Sequence, residues 1–342
     1  QQQAKLYADC LERATGQRPV IFTTNGYEHW LWDDTVYPPR AVHGFLTKDE
    51  LALLVQRRTT KQPLGAVQLN RQIVERYYQE RAIRSIAEHL EHDQQRKALV
   101  VMATGAGKTR TVIALADLLV RANWVKRVLF LADRTALVNQ AVNAFKAHLP
   151  GSPAVNLVTE GDQDGRVYVS TYQTMVGKID EVRADGTRRF GPGFFDLVVI
   201  DEAHRSVYRK YRGIFDWFDS YLVGLTATPK DEVDTNTYEL FDLETGVPTD
   251  NYSLEEAVDD GFLVPPRGVS VPLKFVREGI RYDDLSDDEK DDWDELDWGE
   301  DDEGNPVDPP DEVDAAKLNK WLFNQDTVDK VLEHLMTNGI TV

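Results

Sequence analysis

Five short apolar runs punctuate the middle of this 342-residue chain: Ala98-Leu99-Val100-Val101-Met102, Arg127-Val128-Leu129-Phe130-Leu131, Arg166-Val167-Tyr168-Val169-Ser170, Asp196 to Ile200, and Tyr221-Leu222-Val223-Gly224-Leu225. Runs this short and this continuously apolar suit strands buried in a parallel sheet. Thr109 to Val120 follows the first run, and a stretch from about Thr135 to Leu149 follows the second, both with helical spacing of apolar positions. Strands alternating with helices predict an α/β fold with a mainly parallel sheet and right-handed crossovers. Upstream, Arg18 to Thr24, Asn25-Gly26 and Tyr27 to Trp32 read as apolar run, turn and second run, the signature of a hairpin. No internal repeat occurs at a solenoid period.

Length allows about two domains with real cores. The single cysteine, Cys10, excludes an intrachain disulfide and suits a reducing cytoplasm, where we place the protein. No apolar run approaches the roughly 18 residues of a membrane span, and no secretory signal opens the chain. It begins at Gln1 rather than methionine, so a fragment is the expectation. The net charge of −19 is a local property: Asp283 to Asp314 holds 18 acidic residues and one lysine, Lys290, which accounts for nearly all of it. Such a tract buries little apolar surface and reads as solvated chain; mimicry of nucleic acid, or occupation of a DNA groove, is the sharper alternative.

Candidate chemistry falls at the ends of the apolar runs. Ala103-Thr104-Gly105-Ala106-Gly107-Lys108-Thr109 joins the first predicted strand to the first predicted helix. Gly105 and Gly107 remove side chains so that backbone N–H groups can wrap phosphates, Lys108 supplies a point charge, and Thr109 offers a hydroxyl to Mg²⁺, at a helix N-terminus where anions are favoured. Met102 stands where the general phosphate-loop pattern has its first glycine. Leu197 to Ile200 delivers Asp201 and Glu202 at its carboxyl end, the edge at which open α/β sheets bind ligands. A solvated acidic turn is the plainer reading of that pair. The ligands these residues call for are ATP and Mg²⁺.

Taken together with Thr226-Ala227-Thr228-Pro229, the phosphate loop and Asp201-Glu202-Ala203-His204 resemble those of superfamily 2 helicases and translocases of the DEAH type. The resemblance implies a RecA-like lobe in which Lys108, Asp201 and Glu202 are catalytic. Thr109 and Asp201 would hold Mg²⁺, and Glu202 would polarise the attacking water. Nucleotide contacts would come from Gln79 and from Thr104, Gly105, Ala106, Gly107, Lys108 and Thr109. Gln79 sits in Tyr77-Tyr78-Gln79-Glu80-Arg81-Ala82-Ile83, which resembles the adenine-reading segment; its amide matches the N6 and N7 edge of adenine, although composition alone makes it an exposed helix residue. His204, Thr226 and Thr228 would couple ATP state to DNA grip. No other His or Cys lies at ligand spacing from His204, which favours a hydrogen-bonding relay over a metal site. Arg134, Gln140 and Thr171 are the DNA-backbone candidates, in the segments Leu131 to Gln140 and Ser170 to Thr174; helix capping by Thr or Ser is an equally good reading of each segment taken singly.

The first sixty residues narrow the resemblance further. Gln3-x-x-x-Tyr7, the predicted hairpin and Gly44 to Leu51, with Tyr252 to Gly261 and Leu318 to Met336 downstream, resemble the motor subunit of type I restriction enzymes. The implied organisation is the tail of a restriction-type nuclease domain (1–60), with Gln3 and Tyr7 as its remnant; a helical connector bearing Gln79 (61–95); a RecA-like lobe (96–250); and a crossover towards a second lobe with the acidic insertion at 283–314 (251–342). On this reading the nuclease carboxylates lie before Gln1 and the second lobe's arginine lies after Val342. The implied function is ATP-dependent translocation of double-stranded DNA in an endonuclease that also contains modification and specificity subunits. A non-enzymatic nucleotide-dependent DNA-binding scaffold, or another superfamily 2 helicase, is the alternative.

Overall fold

The computed structural model describes residues 2–160, 163–179, 181–183, 186, 188–203, 205–228, 230, 233, 235–265, 280–284, 290 and 312–313, the side chains of 205–210, 280, 284, 312 and 313 excepted. His204, Pro229, most of the acidic tract and Leu318 to Met336 therefore lie outside the described residues. The chain divides into two units, Gln1–Pro265 and Pro266–Val342.

In the first unit, α1 (Gln2–Thr15) precedes the antiparallel sheet β1 (Ile21–Thr24), β2 (His29–Trp32) and β3 (Arg40–Val42), followed by α2 (Lys48–Thr60). The hairpin loop is longer than an Asn-Gly turn. It runs from Asn25 to Glu28, with the Asn25 side-chain oxygen accepting from the N–H groups of Tyr27 and Glu28 at 3.0 and 2.7 Å. Thr47 and Glu50 cap α2 reciprocally, each side chain accepting from the other's backbone N–H.

Then come α3 (Tyr77–Glu91), β4 (Lys97–Met102), α4 (Lys108–Arg121), β5 (Val128–Ala132), α5 (Thr135–His148), β6 (Ala154–Asn156), β7 (Val167–Thr171), α6 (Tyr172–Ile179), β8 (Leu197–Ile200), α7 (Arg205–Trp217), β9 (Tyr221–Thr226), α8 (Thr235–Leu240), β10 (Asp250–Tyr252) and α9 (Leu254–Asp259). Seven of the strands form one sheet in the order β10-β4-β9-β8-β5-β7-β6, and every adjacent pair is parallel. In the second unit, β11 (Ile280–Arg281) pairs antiparallel with β12 (Glu312–Val313).

All five predicted central strands are present, and β6 and β10 are additional. Three residues each, those two are too short to carry a periodic signal. The continuous apolar runs are explained by burial on both faces. Ala98, Val100 and Met102 of β4 enter one core with Val112 and Leu115 of α4, while Leu99 and Val101 enter the other with Tyr172, Ile214 and Phe241.

Gly224 in β9 shows how tightly the second core closes. A Cβ there would lie 2.3 Å from Cζ of Phe241, a ring that is itself 1% exposed. Gly224→Ala should therefore destabilise the first unit by about 1–3 kcal/mol through overpacking. Urea unfolding checks this; an unchanged midpoint would show that the ring can move aside.

The small sheet and α2 are fastened to the large sheet through charges. Arg40 holds Asp219 in a two-point pair at 2.6 and 2.7 Å, Arg57 reaches Asp196 at 2.5 Å, and Arg96 reaches Asp219 at 3.2 Å. Tyr37 and Tyr221 share a hydroxyl contact of 2.8 Å. Arg96, Asp196 and Asp219 lie just before β4, β8 and β9. The opposite, carboxyl ends of those three strands lead to the phosphate loop, to Asp201-Glu202 and to Thr226-Ala227-Thr228.

Candidate functional site

Parallel pairing brings the carboxyl ends of β4, β9, β8, β5 and β7 to one edge of the sheet, and the candidate residues that end or follow those strands gather there; Gln79 comes to it from α3. The loop after β4 folds back on itself: the Ala106 N–H donates to Ala103 at 3.1 Å, and the Ala103 N–H donates to Tyr252 of β10 at 3.0 Å. Gly105 and Gly107 sit at φ of 85° and 90°, backbone that side-chain-bearing residues rarely adopt, and Gly107 forms the N-cap of α4. Thr104 and Gly105 are exposed, Ala106 is buried, and Lys108 and Thr109 are half-buried at the start of α4.

Composition alone suggested an exposed Gln79, and the fold places it otherwise. Helix α3 buries it to 4% exposure against the phosphate loop, where its amide N–H donates to the Ala106 carbonyl at 3.2 Å and to the Gly107 carbonyl at 3.5 Å. Tyr78 donates to the same Ala106 carbonyl at 2.9 Å. Backbone conformation calls for glycine at 107, and a Cβ there would also come within 2.5 Å of the Gln79 amide nitrogen and displace it from the loop. Because the N–H side of the amide faces the loop, the Gln79 carbonyl oxygen is the atom left to accept from a ligand.

The Lys108 ammonium pairs with Glu202 at 3.0 Å, linking the loop after β4 to the end of β8. Glu202 is held at φ 55°, an uncommon conformation for a residue with a side chain and one that recurs at functional sites. Next to it, burial raises the Asp201 carboxyl above its ordinary range; the Glu202 charge adds to that, and Lys108 opposes it. The Asp201 backbone is fixed on both sides, its N–H donating to Leu131 at 2.9 Å and its carbonyl accepting from Tyr172 at 2.8 Å. Thr226 is buried and its hydroxyl accepts from the Thr228 N–H at 3.1 Å, which shapes the turn after β9. His204 lies outside the described residues.

Of the DNA-backbone candidates, Arg134 is exposed beside Asp133 at the start of α5, and Gln140 is exposed on the same helix. Thr171 is buried; its hydroxyl accepts from the Thr174 N–H at 3.2 Å and contacts the Thr174 hydroxyl at 2.9 Å, so it caps α6. Gln3 and Tyr7 are apart from this edge in sequence and element. On α1 the Gln3 amide donates to the Tyr7 hydroxyl at 3.0 Å, and both are exposed. Lys5, between them, turns towards the ring of Trp32.

A pocket of about 270 Å³ opens beside the phosphate loop, lined by Glu75, Arg76, Gln79, Arg110 and Gly105 to Gly107. Sequence reasoning missed Glu75, Arg76 and Arg110. Their nearness in sequence to Gln79 and to Thr109 was the available signal. Among the described residues no three His, Cys, Asp or Glu side chains cluster as a metal site, and no helix is long and apolar enough to cross a membrane.

Residues 72–231, from just before α3 to just after β9, match the family described as type III restriction enzyme, res subunit. The chain is 38% identical over 212 residues to the endonuclease subunit of the type I restriction enzyme EcoAI of Escherichia coli, covering 60% of this chain and 25% of that one. It is 32% identical over 235 residues to the corresponding EcoKI subunit of Escherichia coli strain K12, covering 60% and 19%. Among solved structures, a fragment of a type I restriction enzyme subunit from Vibrio vulnificus YJ016 aligns with 28% identity and a TM-score of 0.42, over 76% of this chain and 45% of that one. The chain thus spans a quarter or less of the length of these curated relatives. In its central region the chain is thus similar to the res-subunit family of restriction enzymes and to the endonuclease subunits of two type I restriction enzymes.

Proposed function

We propose that this chain contributes the first motor lobe of an ATP-dependent translocase acting on double-stranded DNA, within a restriction endonuclease that also contains modification and specificity subunits. The observation that carries the reading is the Lys108–Glu202 pair, since it joins the phosphate loop after β4 to the acidic end of β8 along one sheet edge, across the intervening β9. A scaffold that only bound nucleotide would have no need of a carboxylate poised there.

ATP binds with its phosphates in the loop from Thr104 to Thr109 and its adenine against Gln79, whose outward-facing carbonyl accepts from the adenine N6 amino group. Phosphate takes Lys108 away from Glu202 and leaves that carboxylate free to orient and deprotonate a water. Mg²⁺, when bound, neutralises phosphate charge; the Thr109 hydroxyl and the Asp201 carboxylate suit it, because this ion takes few protein ligands and completes its shell with phosphate and water. Thr226 and Thr228, with His204, transmit nucleotide state. Arg134 and Gln140 contact the DNA backbone, and Thr171 does so through the helix start that it caps. Residues 1–60 are the tail of a nuclease domain, carrying Gln3 and Tyr7; 61–95 form the connector, 96–250 the lobe, and 251–342 the crossover.

Calorimetric titration with ATP·Mg²⁺ tests the nucleotide assignment. Lys108→Ala removes charge-assisted contacts worth roughly 1.5–3 kcal/mol, so affinity should fall by about 10- to 150-fold. Equal affinity for the two proteins would remove the phosphate loop from the reading.

A further inference from the structure

Behind the charged seam between the small sheet and the large one lies a cavity of about 90 Å³. Its wall carries five cationic side chains, Arg40, Arg57, Arg58, Lys61 and Arg96. Four carboxylates also line it, and each is already engaged. Asp219 accepts from Arg40 and Arg96. Asp196 accepts from Arg57 and from the backbone N–H groups of Lys126 and Arg127 at 2.8 and 3.0 Å. Asp33 pairs with Arg58 at 2.8 Å and accepts from the Thr35 hydroxyl at 2.8 Å, while Glu50 accepts from the Thr47 N–H at 2.8 Å.

The donors are not used up. Nη1 of Arg40 and both Nε and Nη2 of Arg57 are buried and find no acceptor among the described residues. Native interiors seldom leave such groups unmatched, because burial strips them of water without replacing it.

Lys61 lies among these groups. Its ammonium lies 4.2 Å from the centre of the Trp124 ring and donates to Tyr221 at 3.1 Å, with the Tyr37 ring beyond. Burial first, and then the charges of Arg96 and Arg57, push this amine down to about 7, against the pull of Asp196 and Asp33. Burial would cost an anion there as well, so what favours one is the second contribution, the positive charge of Arg96 and Arg57. The volume is on the order of three waters, enough for one tetrahedral oxyanion and far below the roughly 300 Å³ at which organic-ligand pockets begin.

We propose that this cavity is a binding site for one small tetrahedral oxyanion of the sulfate or inorganic phosphate class, held by Arg40, Arg57 and Lys61. The site is separate from the phosphate loop and does not depend on the nucleotide reading. It places an anion at the joint between the first sixty residues and the amino ends of β8 and β9, where it would complete the seam.

The test is calorimetric titration of the full chain carrying Lys108→Ala, so that the phosphate loop does not compete, with sodium sulfate against sodium chloride at equal ionic strength. Saturable sulfate binding is expected, weakening as pH rises through about 7 while Lys61 loses its proton. Arg57→Lys keeps a cation for Asp196 and removes the two unmatched donors; it should weaken sulfate about tenfold or more. Lys61→Met should flatten the pH dependence between pH 6 and 9, and it serves equally if Arg57→Lys fails to fold. Repeating the titration with inorganic phosphate at one pH shows which anion the cavity prefers. Sulfate heats no different from chloride would mean that water alone fills the cavity and would overturn the proposal, as would wild-type affinity in Arg57→Lys or an unchanged pH profile in Lys61→Met.

Discussion

Glu202→Gln should bind ATP at least as tightly as the wild type and, under the proposed function, lose roughly 10²- to 10⁴-fold in turnover, the usual weight of a positioned general base. The amide keeps the size of the side chain and the strained backbone at φ 55°, but it cannot take a proton from water. The retained binding follows from the pair at 3.0 Å: Lys108 is held by Glu202, so a phosphate must compete with that carboxylate for it. Removing the charge removes the competitor. Separate measurement of ATP affinity and steady-state phosphate release distinguishes the outcomes. Turnover at the wild-type rate would exclude Glu202 as the base, and a parallel loss of binding would make it a structural partner of Lys108 instead.

The largest effect on stability is expected from Asp219→Ala, at roughly 3–5 kcal/mol of unfolding free energy. Asp219 has only 7% of its side chain exposed, and it holds Arg40 through two contacts and Arg96 through a third. Truncation leaves two guanidinium groups largely buried without their counter-charge, which costs far more than an intact pair contributes. The pH dependence carries the same signature. Burial works against the Asp219 charge, yet Arg96 and Arg40 hold the carboxyl below its ordinary range. A depressed carboxyl contributes stability that is present above its unfolded value, about 3.9, and is lost as pH falls through the folded one. Urea unfolding of the two proteins should therefore differ most near neutral pH and converge in acid. A gap that stayed constant down to pH 3 would mean that the lost contacts are steric rather than ionic.

Several parts of this molecule are legible in its residues alone. Continuous apolar runs such as Leu197 to Ile200 require cover on both faces, so the central parallel strands follow from composition and length. Covalent neighbours travel together: once β4 and β8 are strands, the loop from Thr104 to Lys108 and the pair Asp201-Glu202 must fall at carboxyl ends. Three features are not legible, each for a definite reason. Strands β6 and β10 are too short to show a period and exist because neighbours offer them an edge. Thr171 is equally cap or contact by its sequence, and the fold spends its hydroxyl on the Thr174 N–H. Glu75, Arg76 and Arg110 join one pocket only because α3 and the start of α4 meet there.

By itself, then, the sequence determined the things that depend on local spacing: which central segments are strands, that they are covered on both faces, and which residue types stand at the strand ends. Tertiary structure alone decided what depends on position in space. It buried Gln79 against the Gly107 carbonyl, set Lys108 against Glu202, and closed Arg40 and Arg57 over a cavity shared with Lys61. The physical reason is range. Periodicity reflects backbone geometry over a few residues, whereas the charge pairing, burial and donor matching that define these sites arise between residues far apart in the chain and acquire their energies only when folding removes the water between them.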